Sequence, residues 1–254
     1  MSVQWYEQDN LETAAEAASH FILGRIADAL SGQPSATLAL SGGAVPRALF
    51  AQLAATRYHF HWDRVHLFWA DERCVPPDHA DSNYRLARET LLDPLHLPAS
   101  QIHRIRGELR PDAAAQRYRE DLQDFFRLEE GRLPSFDVVH LGLGPDAHTA
   151  SLFPGEPLLD DRSGIAAAVY VEKLNSWRVT LLPGVLLAAR HTVFLTAGEE
   201  KAEAVQAVLA GPYNPQRWPA QVITHHGRHV VWFLDHAAAR REAQATTSNT
   251  VPRV

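Results

Sequence analysis

Short runs of apolar, mostly β-branched or aromatic residues alternate along this chain with longer Ala- and Leu-rich stretches of helical period. An apolar run without polar alternation suits a strand covered on both faces, and repeated alternation of such runs with helices is the pattern of a parallel sheet. Strands are expected at 37–40, 65–70, 136–141, 177–181, 191–196 and 229–234. Helices are expected at 11–30, 46–55, 82–92, 111–130, 185–190 and 199–209. The fold class that follows is α/β: a Rossmann-like, mostly parallel sheet flanked by helices on both faces.

Local signals set the expected ends. Pro46 suits a first helical turn, where a missing N–H costs nothing. Ser82 should cap the helix that follows it. Gly211 and Pro212 should stop the helix at 199–209. Residues 1–242 read as one α/β domain with room for a small subdomain, and residues 243–254, rich in Thr and Ser without apolar period, as a flexible tail.

Composition narrows the partners. Hydrophobic residues at 46% and charged residues at 21% are ordinary for a globular chain. A net charge of −6 lacks the basic excess that nucleic acid demands, so no nucleic-acid partner is expected. The same charge repels small anions at long range, so an anion-binding pocket must gather its cations locally. The single cysteine, Cys74, cannot form an intrachain disulfide and reads as a small buried side chain in a reducing compartment. The first sixteen residues lack a basic region followed by an apolar run, and no stretch has the length of a membrane span. A cytoplasmic monomer or homodimer without a membrane partner is expected.

Ligands of an open parallel sheet collect beyond the carboxyl ends of its strands. Three segments fall there. Ser41-Gly42-Gly43, ahead of Pro46 and Arg47, is a glycine turn into a helix, which fits a phosphate cradle or a plain tight turn. Asp71-Glu72-Arg73 ends an apolar strand with three charges, some of which should face a cleft. Arg73 there can neutralise an oxyanion or pair internally with an aspartate. The segment 142–154 carries His148 in a glycine-flanked turn, where a neutral imidazole is a candidate general base. Lys173, Arg178 and Lys201 are candidate local cations. His59, His61, His225, His226 and His229 show no familiar ligand spacing, so no metal is expected.

Taken together, these segments resemble the 6-phosphogluconolactonase family, whose fold is shared with glucosamine-6-phosphate deaminases and ribose-5-phosphate isomerases. The resemblance rests on Asp71-Glu72-Arg73, Val75-Pro76, His79 and Asp81-Ser82-Asn83-Tyr84, and on the run from His148 to Gly155. Ser41-Gly42-Gly43 with Pro46, Arg178-Val179-Thr180 and Gly198-Glu199-Glu200-Lys201 extend it over nearly the whole chain in order. Two departures stand out: Val45 where the family usually has Thr, and Ala147 where it usually has Gly. Val45 removes a hydroxyl from the cradle, and Ala147 disfavours a positive φ.

The resemblance implies hydrolysis of a phosphorylated sugar lactone, 6-phospho-D-glucono-1,5-lactone, without metal or organic cofactor. It implies His148 as general base, Arg73 stabilising developing charge, and Asp71 either fixing Arg73 or binding a sugar hydroxyl. Ser41, Gly42, Gly43, Arg47, Lys173, Arg178 and Lys201 are the expected phosphate and substrate ligands, Lys173 foremost. The rival readings are an amino-sugar-phosphate isomerase or deaminase and a non-catalytic sugar-phosphate-binding protein on the same scaffold.

Overall fold

A computed structural model describes residues 3–240 of the chain; the expected tail at 243–254 lies outside the described residues. The first half contains β1 (Gln4–Gln8), α1 (Leu11–Gly32), β2 (Ala36–Leu40), α2 (Ala44–Ala55), β3 (Val65–Trp69) and β4 (Asp71–Arg73). It continues through α3 (Asn83–Ala87), α4 (Asp93–Leu95), β5 (Ile102–His103) and α5 (Pro111–Phe126). The second half contains β6 (Val138–Leu141), β7 (Ala166–Val171), β8 (Ser176–Leu181), α6 (Pro183–Ala188) and β9 (His191–Thr196). The last elements are α7 (Ala202–Ala210), α8 (Ala220–His226), β10 (Val230–Asp235) and α9 (His236–Ala239).

Seven strands form one sheet in the order β1-β10-β9-β6-β2-β3-β5, with every pairing parallel. All residues of β2 and β6 are buried, as strands covered on both faces must be. Helix α1 opens with a capping box in which Asn10 accepts from the Thr13 N–H and Thr13 accepts in return. It buries Ala14, Ala15, Ala18, Ile22 and Ile26 completely against the core. Each of the two isoleucines contributes about 1.5–3 kcal/mol by leaving water.

The chain runs from β2 to β3 toward one edge of the sheet and from β6 through β9 to β10 toward the other. The strand order therefore reverses between β2 and β6. Connections that leave in opposite directions open a crevice above the carboxyl ends of these two strands. Ser41-Gly42-Gly43 follows β2, and the His148 loop follows β6.

Four expectations are corrected. The run 177–181 joins β8, which pairs antiparallel with β4 and β7 in a separate three-stranded sheet. Burial on both faces does not distinguish the two senses of pairing, so the apolar pattern alone could not separate them. The charged triplet is itself β4, linked to the main sheet through Ala70, whose N–H reaches the Leu40 carbonyl at 2.8 Å and whose carbonyl accepts from Leu181 at 2.8 Å. Helix α2 begins two residues before Pro46, at Ala44. The expected helix at 82–92 divides into α3 and a π-turn at Arg88–Leu92, and Ser82 caps it through a bond from the Arg85 N–H at 3.1 Å.

Among the described residues no helix is long and apolar enough to cross a membrane.

Candidate active site

The crevice is lined from three directions. From β2, Ser41, Gly42 and Gly43 lead into α2; from β4 and β8 come Asp71, Arg73 and Arg178; from β6 and β9 come Gly144, His148, Thr196 and Lys201. Gly43 is the N-cap of α2 with φ of 114°, a conformation closed to ordinary side chains. Among the described residues no side chain caps this helix, so its first N–H groups and positive dipole end remain available to an anion. The Ser41 hydroxyl is buried without a hydrogen-bond partner among the described residues. Val45 lines the same wall and offers no donor.

The triplet in β4 splits its work. Glu72 is buried and turns away from catalysis: its carboxylate accepts from Ser82 Oγ and from the N–H groups of Arg73, Asn83 and Tyr84. Burial raises its pKa, against the pull of those backbone donors. Asp71 accepts from Ser151 Oγ at 2.7 Å and lies 3.9 Å from Arg178 Nη1, so its charged neighbour is Arg178. Arg73 instead donates to the Asp81 carbonyl at 2.6 Å and keeps a buried Nε without a partner among the described residues. Asn83, also buried and lining the crevice, donates to the Asp71 carbonyl at 3.0 Å, and its own Oδ1 has no partner among the described residues.

The His148 loop holds a second carboxylate, Asp146, which no local pattern in the chain singles out. His148 Nδ1 lies 2.6 Å from Asp146 Oδ1. An ionised carboxylate only accepts, so Nδ1 donates to it, and in the neutral ring the lone pair is then on Nε2. Burial alone would raise the Asp146 pKa, but the hydrogen bonds from His148 and Lys173 win and hold it well below the usual carboxylate range. Room for the pair comes from Gly144, where an added Cβ would meet His148 Nδ1 at 1.9 Å and Asp146 Oδ1 at 2.7 Å. The ring of Phe153 stacks on His148 with centroids 4.2 Å apart. Ala147 adopts φ of 60° although it is not glycine, held by its N–H to the Gly144 carbonyl and its carbonyl to the Ala220 N–H.

The candidate cations separate by position. Arg73, Arg178 and Lys201 line the crevice together with the carboxylates Asp71 and Glu200. Burial lowers the Lys201 pKa, while Glu200 and Asp146 oppose that shift. Arg47 lines a neighbouring cavity with Asp81, Arg85 and Glu89 rather than the crevice. Lys173 is not among the residues lining the crevice; its ammonium pairs with Asp146 Oδ2. Cys74 is a partly buried thiol whose pKa burial pushes up to about 11, so it is no thiolate nucleophile. No group of three or more His, Cys, Asp or Glu side chains among the described residues is arranged to hold a metal ion.

A carboxylate-oriented imidazole thus stands at the switch point of an open parallel sheet of the α/β class, where such folds collect their ligands. The sequence model of the family described as glucosamine-6-phosphate isomerases/6-phosphogluconolactonase matches residues 9–232. The chain belongs to this family. It is 38% identical over 230 residues to a 6-phosphogluconolactonase of Synechocystis, covering 90% of this chain and 94% of that relative. It is 39% identical over 230 residues to the 6-phosphogluconolactonase of Homo sapiens, covering 88% of each. The solved 6-phosphogluconolactonase from Trypanosoma cruzi superposes with a TM-score of 0.82 at 26% identity, over 94% of this chain and 97% of that one. A monomeric glucosamine-6-phosphate deaminase shares the fold, with a TM-score of 0.79 at 20% identity over 93% of this chain and 98% of that one.

Proposed function

We propose that the chain hydrolyses 6-phospho-D-glucono-1,5-lactone to 6-phospho-D-gluconate, the lactonase step of the oxidative pentose phosphate pathway, with His148 as general base. The observation that carries this reading is the Asp146–His148 hydrogen bond of 2.6 Å at the wall of a cation-lined crevice. With Nδ1 committed to Asp146, Nε2 takes a proton from water as the water oxygen attacks the lactone carbonyl carbon. Arg73 and Arg178 supply positive charge for the oxyanion that forms. When the bond from the carbonyl carbon to the ring oxygen breaks, His148 returns the proton to that oxygen, and the carboxylic acid product ionises in solution.

Phosphate recognition falls to the free N–H groups at the start of α2, with Ser41, Gly42, Gly43 and Lys201 around them. Asp71, tied to Ser151 and close to Arg178, is available to a sugar hydroxyl and does not clamp Arg73. Every proton in the scheme moves between water, His148 and substrate, so neither metal nor organic cofactor is needed. The single Cys74 fits the reducing cytoplasm as the place of the reaction.

The test is the rate of acid release from freshly generated lactone, read above the spontaneous hydrolysis. The His148→Ala variant is expected to lose about 10²–10⁴-fold in kcat. Near-normal turnover by a folded His148→Ala protein would remove the general base and the proposal with it.

A further inference from the structure

Lys173 is set by the fold in an unexpected place. It lies in the 3-10 turn Glu172–Leu174 that joins β7 to β8, at the far end of the small sheet from the main core. The turn closes through Asn175, which adopts φ of 45° and donates its N–H to the Glu172 carbonyl at 3.0 Å. From there the ammonium crosses the face of Phe153, 4.6 Å from the ring centroid, and pairs with Asp146 Oδ2. The other oxygen of the same carboxylate accepts from His148, and the ring that Lys173 covers is the ring stacked on His148. Each contact of Lys173 thus ends on a group that holds the imidazole.

We propose that Lys173 is a positioning residue that acts through Asp146, fixing the carboxylate against His148, and that it does not bind the substrate's phosphate. The inference rests on the reading of His148 as the base that activates water. Two further observations support it. Among the described residues the hydrogen-bond partners of Asp146 are His148 and Lys173 alone, so without Lys173 one carboxylate oxygen loses its only anchor. The cations that do line the crevice, Arg73, Arg178 and Lys201, leave Lys173 outside it.

The pairing has an electrostatic consequence. A carboxylate shared with an ammonium has less negative charge to offer an imidazolium, so Lys173 keeps Asp146 from trapping the proton that His148 must pass on. The other charged groups near the dyad are Lys201 and Glu200 ahead of α7, and Asp71, Arg73 and Arg178 on the small sheet. All of them remain when Lys173 is changed.

The experiment compares wild type, Lys173→Met and Lys173→Arg in kcat, KM and the pH profile of kcat/KM, with 6-phosphogluconate as competing product. For Lys173→Met, kcat is expected to fall about tenfold with KM and product inhibition within twofold of wild type. The acid limb of the profile is expected to move about half a unit or more toward higher pH, because the full Asp146 charge then favours protonation. Lys173→Arg should return the limb and most of the rate. A KM and product inhibition constant weakened tenfold with an unmoved acid limb would make Lys173 a phosphate ligand and overturn the proposal. A loss of thermal stability with both kinetic constants and the limb unchanged would make it purely structural and overturn it equally. The His148→Ala assay keeps the two readings apart: loss of activity there with an unmoved limb in Lys173→Met leaves the lactonase standing and the positioning role refuted.

Discussion

The imidazole of His140 sits in the middle of the sheet on β6 with no solvent exposure. Its neighbours include the ring of Phe50, with centroids 6.4 Å apart, and neither ring nitrogen has a hydrogen-bond partner among the described residues. Burial pushes its pKa down from 6.5 to about 3. A histidine depressed in this way is neutral when folded and takes up a proton on unfolding whenever the pH lies below 6.5. Its contribution is therefore intact above the unfolded value and is lost as the pH falls toward the folded one. Linkage between these two values gives a loss of about 2 kcal/mol on going from pH 7.5 to 5, roughly a thirtyfold change in the folding equilibrium. Urea unfolding of wild type and His140→Leu at both pH values isolates the effect. The carboxylates and the partly buried histidines His66 and His191 titrate in both proteins and cancel in the difference. The variant should lose about 2 kcal/mol less than wild type over this interval, whatever its stability at pH 7.5. Equal losses in the two proteins would show that the imidazole is solvated or charged in the folded state.

Two further predictions concern the crevice. Val45→Thr adds a donor at the second residue of α2, and one hydrogen bond to a phosphate oxygen should tighten 6-phosphogluconate binding by about three- to tenfold in titration calorimetry; unchanged or weaker binding would move the phosphate away from this helix end. Gly144→Ala would drive a Cβ to within 1.9 Å of His148 Nδ1, so the ring must swing off Asp146. Its kcat should fall by about 10²-fold while thermal unfolding shifts by only a few degrees, and wild-type turnover would mean that the Asp146–His148 bond is dispensable.

The contrast between residues read from the chain and residues found in the fold follows the range over which each is determined. Five of the six expected strands, β2, β3, β6, β9 and β10, stand in the main sheet where the local apolar runs lie. β1 escapes because it is an edge strand of sequence QWYEQ with two exposed polar positions, and β5 because two residues carry no period. α9 is four residues long, too short for a helical repeat to register. His148 and Arg73 could be proposed because they end strands, where a parallel sheet always places its ligands. Asp146 could not, because an aspartate after Gly-Pro is the ordinary residue of a turn. Its function appears only when the His148 ring folds back over Gly144, and Lys173, 27 residues downstream, reaches it across the small sheet.

Ala147 shows the same limit from the other side. Local sterics argue against a left-handed alanine by about 1–2 kcal/mol, and on that basis the loop geometry was the expected point of departure. Yet Ala147 is fully buried, its N–H and carbonyl are both bonded, and the chain on either side is fixed by Gly144 and Thr149, whose hydroxyl donates to the Gly142 carbonyl at 2.9 Å. Burial of the methyl group recovers about 0.8 kcal/mol, and breaking two buried backbone bonds to relax φ would cost more than the remaining strain. The loop therefore keeps its path, and with it the approach of His148 to Asp146. At Ala147 the local rule fails because the approach of His148 to Asp146 depends on the backbone holding a conformation that its own residue does not prefer.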